Sequence, residues 1–290
     1  MLKVATIGFF DGVHKGHQFL FEHLRKEADQ RGLMPLIVTF QQHPRVLLQS
    51  DYVPQLLTTA EERQALLGAY GEVLMLPFEQ IQALTAAEFM TLLRDRYEVS
   101  VLLMGYDHRF GADRLHCPQD YRRIGEALGI EVLTMSEYVE GELHVSSTEI
   151  RLALEKGNIA VANELLGRPY SLSGTVVHGR AFGRTIGFPT ANIQPTDPHK
   201  IIPKTGVYMA QIVEREKTAL LKDKSMPAFV NIDPQGVIEA HIPSYKGDLY
   251  GRQMEIRFER FIREERHFDS AEALRRQIKD DIDNILRPDA

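Results

Sequence analysis

The stretch Met1-Leu2-Lys3-Val4-Ala5-Thr6-Ile7-Gly8-Phe9-Phe10-Asp11-Gly12-Val13-His14-Lys15-Gly16-His17 passes from an apolar strand through a glycine-bearing turn directly into a helical pattern. The same alternation continues to about residue 135. Apolar runs at 4–7, 36–40, 73–76, 99–104 and 132–133 read as buried strands, and amphipathic patterns at 19–31, 60–70, 86–97 and 119–128 read as helices. Thr59 with Glu62 and Thr85 with Glu88 have capping-box spacing at two helix starts. Alternating β and α units predict a parallel, doubly wound sheet, Rossmann-like in its layers, in which ligands bind beyond the carboxyl ends of the strands. The residues just after each strand are therefore the candidates for function.

Beyond about Gly167 the texture changes. Gly174, Gly179, Gly183, Gly187 and Gly206 punctuate short β-rich runs at 175–177, 207–213, 228–232, 237–242 and 254–261, which predicts an antiparallel β-barrel. The chain ends in an amphipathic helix capped by Asp269 or Ser270, with Leu274, Ile278, Ile282 and Ile285 or Leu286 on the face that packs on the barrel. Gly157 and Asn158 interrupt two helices. The reading is thus an α/β domain at 1–155, a linker at 156–167 and a β domain with its C-terminal helix at 168–290.

Length and composition agree with two modest globular domains. The 290 residues carry 34 Lys and Arg against 40 Asp and Glu, a formal charge of −6, which lacks the basic footprint of a general nucleic-acid binder. Cys117 is the only cysteine, so an intrachain disulfide and a cysteine-rich zinc site are both excluded, as suits a reducing compartment. The N-terminus reads as a strand rather than a signal peptide, and no apolar run approaches the roughly 20 residues a membrane span needs. A cytoplasmic protein without nucleic-acid or membrane partners is expected; oligomeric state is not read from the sequence.

In the opening stretch, Gly16 permits close backbone approach, and His14 and His17 flank it where a helix N-terminus presents free N–H groups. The outline is that of a phosphate site lacking the Gly-Lys-Ser/Thr end of a P-loop, so histidines must stabilise the charge. Surface histidines or a His-x-x-His metal pair are the alternatives, the second without an obvious third ligand. The string resembles the His-x-Gly-His signature of the nucleotidyltransferase superfamily, and its longer form, Phe-Asp-Gly-Val-His-x-Gly-His, resembles the FAD synthetase branch. Val145-Ser146-Ser147-Thr148-Glu149-Ile150-Arg151 is similar to that family's Ile-Ser-Ser-Thr-x-x-Arg motif, although the hydroxyls also suit a simple helix cap. The resemblance implies that His14 and His17 are catalytic and that Gly8, Phe9, Asp11, Gly16, Ser147, Thr148 and Arg151 surround ATP phosphates.

Two more strand ends carry strings of interest, Phe40-Gln41-Gln42-His43-Pro44 and Met104-Gly105-Tyr106-Asp107-His108-Arg109-Phe110-Gly111. The second resembles the family's flavin- and nucleotide-contacting segment, which implies flavin contacts for Asp107 and Arg109; an ion pair between these two that merely holds the loop is the alternative. His108 replaces the family's usual aromatic, Phe9 a small polar residue and Gln41 a frequent acid.

In the second half, Gly183-Arg184-Thr185-Ile186-Gly187-Phe188-Pro189-Thr190-Ala191-Asn192 follows Gly179. Closely spaced glycines read either as turns or as a backbone cradle for a nucleotide, with Thr190 and Asn192 as neutral oxygen ligands for magnesium. Pro-Thr-Ala-Asn is similar to the riboflavin kinase signature, as are Gly206-Val207-Tyr208 and Asp248-Leu249-Tyr250-Gly251. This resemblance implies nucleotide contacts at Gly179, Gly183 and Gly187 and a catalytic base at Glu239. By alternation Glu239 shares a face with His241, and that face is expected at the inner rim of the barrel. Arg263, in Arg263-Glu264-Glu265-Arg266-His267-Phe268, matches the family's flavin-side loop; a solvated charged turn is the alternative. After Ile232 the family's usual glycine and Arg-Pro-Thr stretch is replaced by the short Asp233-Pro234-Gln235-Gly236.

The sequence is accordingly identified as a member of the bifunctional riboflavin kinase/FAD synthetase family, with riboflavin, FMN and ATP as substrates, FMN and FAD as products and magnesium in both halves. The rival readings are an adenylyltransferase with a kinase-impaired barrel, suggested by the shortened loop, and a non-catalytic flavin-responsive regulator.

Overall fold

The structure is a computed structural model that describes residues 1–106, 108–113, 115, 117–140, 143–179, 182–214 and 225–286. Two compact units divide it, Met1–Ser147 and Thr148–Ala290.

The first unit contains strands β1 (Lys3–Ile7), β2 (Met34–Phe40), β3 (Glu72–Leu76), β4 (Val99–Met104) and β5 (Glu131–Thr134). Helices α1 (Lys15–Arg31), α2 (Pro44–Leu48), α3 (Ala60–Gly68), α4 (Ala86–Tyr97) and α5 (Pro118–Leu128) connect them, and the short strands β6 (Val139–Glu140) and β7 (Leu143–His144) form a separate ribbon. The five long strands form one parallel sheet in the order β3-β2-β1-β4-β5. Both faces are covered, because each strand sends apolar side chains to both sides: Val4 joins Phe21 and Leu24 of α1, while Ala5 and Ile7 join Phe89, Met90 and Leu93 of α4. The two predicted capping boxes close on α3 and α4. Strand order reverses between β1 and β4, so the loops that follow these two strands flank the crevice of the sheet.

The second unit begins with α6 (Ser147–Glu155) and α7 (Ile159–Leu166) and continues through β8 (Tyr170–Val177), α8 (Phe182–Thr185), β9 (Thr190–Pro195), β10 (Gly206–Glu214), β11 (Ser225–Ile232), β12 (Ile238–His241), β13 (Gln253–Arg263) and α9 (Ala271–Leu286). Six antiparallel strands close a barrel in the order β10-β11-β12-β9-β8-β13, which leaves no exposed edge. Met226, Ala228, Val230, Ile232, Ile238 and Ala240 are buried at alternate positions and fill the interior. Asn163 of α7 accepts from the Tyr170 N–H at 2.7 Å and donates to the Phe258 carbonyl at 2.9 Å, so residues 156–167 include a helix built onto the barrel strands. Ser270 caps α9 by accepting from the Ala273 N–H at 3.2 Å. Arg263 holds Asp281 of α9, and Leu274, Ile278 and Ile282 are half-buried; the side chains of Ile285 and Leu286 lie outside the described residues. Strand β9 escaped the periodicity reading because its first three residues, Thr190, Ala191 and Asn192, lack an apolar run.

Candidate active sites

In the first unit, β1 ends at Ile7 and α1 starts at Lys15, with His14 in the N-cap position. The connecting turn is held in a conformation few side chains favour: Phe10 and Val13 have φ of 53° and 43°, in the left-handed region. Buried hydrogen bonds hold this strain in place. The Asp11 carboxylate, 4% exposed, accepts at 3.0 Å from the Leu57 and Thr58 N–H groups and the Thr58 hydroxyl, while Gly12 N–H donates to Thr58 Oγ1 at 3.1 Å. The Thr39 hydroxyl donates to the Phe9 carbonyl at 3.1 Å.

The turn opens onto a cavity of about 320 Å³ walled by the residues after β1, β4 and β5. The His14 and His17 rings both line it, stacked 3.6 Å apart at 21°, at the N-terminus of a helix whose first turn has no acidic residue. Gly8, Phe9, Gly16, Ser146 and Ser147 complete this wall, and the Ser147 hydroxyl donates to the Asp11 carbonyl at 2.9 Å. Imidazole N–H donors and the positive end of a helix converge on one space, an arrangement suited to phosphate oxygens. Asp11 itself is absent from the cavity wall: its carboxylate organises the turn from behind.

A second cavity, about 440 Å³, lies at the same end of the sheet and is mainly apolar, with Phe40, Phe78, Phe89 and Phe110 in its wall. It shares Ile7, Phe9 and His108 with the first cavity, and Arg109 lines it. Asp107 lies outside the described residues. Sequence reasoning missed Tyr121, whose buried hydroxyl donates to the Phe110 carbonyl at 2.8 Å and accepts from its N–H at 2.9 Å, and so fixes the loop carrying Arg109 and Phe110. Burial raises the pKa of this phenol. It also missed Arg63, buried between α3 and Phe9. The signal for both was weak, since each lies within an ordinary helical pattern.

In the barrel, register makes the site. Glu239 pairs directly with Asn192 of β9 on one side and Asn231 of β11 on the other, and His241 pairs with Thr190. Directly opposed residues share a face, so Glu239, Asn192, Thr190 and His241 converge. The face is not the interior predicted above: Ile238 and Ala240 point into the barrel, and Glu239 and His241 lie half-buried on the other side. Two glycines make room for this group. A Cβ at Gly179 would meet the Asn192 amide at 2.1 Å, and one at Gly183 would meet the Phe188 carbonyl at 2.3 Å and Thr190 Oγ1 at 3.3 Å. Gly187 adopts φ 86° in the following turn. A cavity of about 520 Å³ nearby is lined by Thr190, Arg184, Lys246 and Tyr250, among others.

Arg263 is placed differently from the rest. Its Nε donates to Asp281 at 2.9 Å in a pair whose side chains are 13% and 8% exposed, so its guanidinium is engaged with α9. Thr148 and Arg151 lie in α6.

Among the described residues no group of three or more His, Cys, Asp or Glu is disposed to hold a metal. The paired oxygen donors at Thr190, Asn192 and Glu239 nevertheless suit magnesium, a hard cation that takes few protein ligands and completes its shell with water and phosphate.

Residues 2–149 match the family model described as FAD synthetase, and residues 166–287 match the one described as riboflavin kinase. The bifunctional riboflavin kinase/FMN adenylyltransferase of Escherichia coli K12 is 36% identical over 289 residues, covering 96% of this chain and 90% of its own. The proteins of the same name from Pseudomonas fluorescens and Listeria monocytogenes are 35% and 33% identical, each with the same 96% and 90% coverage. A solved structure from Streptococcus pneumoniae, described as a macrolide-efflux protein, superposes with a TM-score of 0.88 at 30% identity and covers 99% of this chain and 95% of its own. Among the described residues here, no helix is long and apolar enough to cross a membrane.

Proposed function

We propose, from the premise that the chain belongs to the bifunctional riboflavin kinase/FMN adenylyltransferase family, that its two reactions run at the two sites described above. The chain phosphorylates riboflavin to FMN and adenylylates FMN to FAD; the proposal concerns where and by which residues. The assignment rests above all on the register that sets Glu239 directly against Asn192 in the barrel.

For the kinase step, Glu239 accepts the proton of the ribityl 5′-hydroxyl as that oxygen attacks the γ-phosphorus of ATP and ADP leaves. Thr190 and Asn192 would hold magnesium, which when bound neutralises phosphate charge. Gly179, Gly183 and Gly187 let the backbone approach the nucleotide. For the adenylyl step, an oxygen of the FMN phosphate attacks the α-phosphorus of a second ATP and pyrophosphate leaves, so no protein nucleophile is required. His14 and His17 donate hydrogen bonds to the charge that grows on the phosphate, helped by the N-terminus of α1; Gly8 and Gly16 allow close approach, and Ser147 braces the turn through the Asp11 carbonyl. Thr148 and Arg151 are assigned to the same phosphates on their motif alone. The apolar cavity beside Phe9 receives the flavin ring, with Arg109 at its wall. Asp11 and Arg263 act through what they hold, the strained turn and α9 respectively. We place the adenylyl activity in the unit 1–147, the kinase activity in the unit 148–290 to which α7 belongs, and the protein in the reducing cytoplasm.

Incubation with riboflavin, ATP and magnesium, followed by chromatography of the flavins, tests the reading. FMN and FAD should both form. FAD formed only from supplied FMN would identify a kinase-impaired barrel, and no product from either flavin would indicate a binding protein.

A further inference from the structure

Arg63 is a charged side chain buried to 1% exposure, outside every motif discussed so far. A desolvated guanidinium is costly unless its donors and charge are met, and an apolar side chain of similar volume often serves stability as well or better. Here its needs are only partly met. One terminal nitrogen donates to the Phe40 carbonyl at 2.7 Å, with Gln41 at the 3.5 Å limit, while Nε has no hydrogen-bond partner among the described residues. Burial pulls the guanidinium pKa down and the charge of Asp11 opposes this, but arginine starts so high that it stays cationic.

The groups it holds all belong to the adenylyl half. Its guanidinium carbon lies 4.2 Å from the centroid of the Phe9 ring, a cation–π contact, and His43 packs edge-on to Phe9 at 4.6 Å. Phe9 is one of three residues shared by the walls of the phosphate cavity and the apolar cavity. The carbonyls that Arg63 bonds stand at the carboxyl end of β2. The segment that carries Arg63 also carries Leu57 and Thr58, which bind the Asp11 carboxylate and so brace the strained turn.

Building on the site assignment above, we propose that Arg63 is the positioning residue of the adenylyl reaction: by gripping the face of Phe9 and the end of β2, it fixes the partition between the two cavities. That partition sets where an FMN phosphate meets the α-phosphate of ATP. Arg63 touches neither substrate.

The experiment uses the full chain with Arg63→Met, Arg63→Lys, Phe9→Leu and the double variant Arg63→Met/Phe9→Leu. FMN and ATP are varied separately, and riboflavin phosphorylation is measured in the same preparations. Arg63→Met should lower kcat/KM for FMN by about 10- to 100-fold, the scale of a misplaced reacting group, with kcat carrying most of the loss and phosphorylation intact. Arg63→Lys keeps the charge but loses the planar stack and should recover only part of it. Because Arg63 acts in part through Phe9, the loss in the double variant should be clearly less than the sum of the two single losses. Undiminished FAD formation in Arg63→Met overturns the proposal, as do additive losses in the double variant or a parallel fall in both activities with a lower Tm. If Arg63→Met does not fold, Arg63→Lys decides, and full adenylylation in it overturns the proposal. Failure of the parent chain to make FAD from FMN would instead overturn the site assignment itself.

Discussion

In the reading proposed here, the two units hold a triphosphate for attack with opposite parts of the backbone repertoire. The first uses the end of a helix: His14 and His17 stand together because His14 is the N-cap of α1 and His17 lies in its first turn, three residues on. The second uses a ladder: Glu239 and Asn192 stand together because β12 and β9 pair in one register. A helix-end site is local and tolerates distant change provided its entering turn is held. A ladder site is non-local, and a slip of one residue would turn every side chain of the strand to the other face.

The sharpest way to break the comparison is to remove the group that each site depends on. Glu239→Gln should lower the FMN-forming rate by about 10²- to 10⁴-fold, the usual worth of a general base, and leave adenylylation of supplied FMN intact. The reciprocal variant, His17→Ala, should lower FAD formation from FMN by about 10²- to 10³-fold and spare the kinase. Loss of both activities in either variant would defeat the two-site reading.

A subtler change tests whether the barrel site depends on close approach. Gly179→Ala places a methyl group 2.1 Å from the Asn192 amide, a movable side-chain end rather than backbone. The fold should survive with Tm nearly unchanged, while kinase kcat falls about tenfold, the result of a misplaced positioning group, and the magnesium requirement rises. An unaltered magnesium titration would remove Asn192 from the metal site.

The smallest effect is shared by both units. Tyr121 in the first and Tyr208 in the second are buried phenols with raised pKa, desolvation being the leading cause in each. A phenol that holds its proton more tightly when folded costs no stability below the unfolded value near 10, and stability falls as pH rises through that value. Thermal melts from pH 8 to 11 should show this decline, and Tyr121→Phe, which keeps the ring, should make it shallower. A melt independent of alkaline pH would argue that neither phenol is desolvated.

Much of this is legible in the amino-acid sequence. The β–α alternation, both capping boxes and the histidine-bearing turn are short-range features, encoded within a few residues, and the structure reproduces them; of the two caps open for the last helix, Asp269 and Ser270, it selects Ser270. Pro-Thr-Ala-Asn reads as a binding motif but not as strand β9, since its polar start gives no periodic signal. Arg63 and Tyr121 looked like routine helix residues because their partners, Phe9 and Phe110, are remote in sequence or lie across a loop.

The sequence alone therefore determined the architecture of both halves, the family and the histidine-bearing turn, because periodicity, caps and motif strings act over one or two turns of chain. Only the tertiary structure decided that Asp11 braces the turn from behind, that Glu239 lies on the outer face against Asn192, that Arg263 is engaged with α9 and that Arg63 lies buried against Phe9. Each depends on a contact between segments that meet only once the core has closed. The energies concerned, desolvation and cross-strand pairing, do not exist in the open chain.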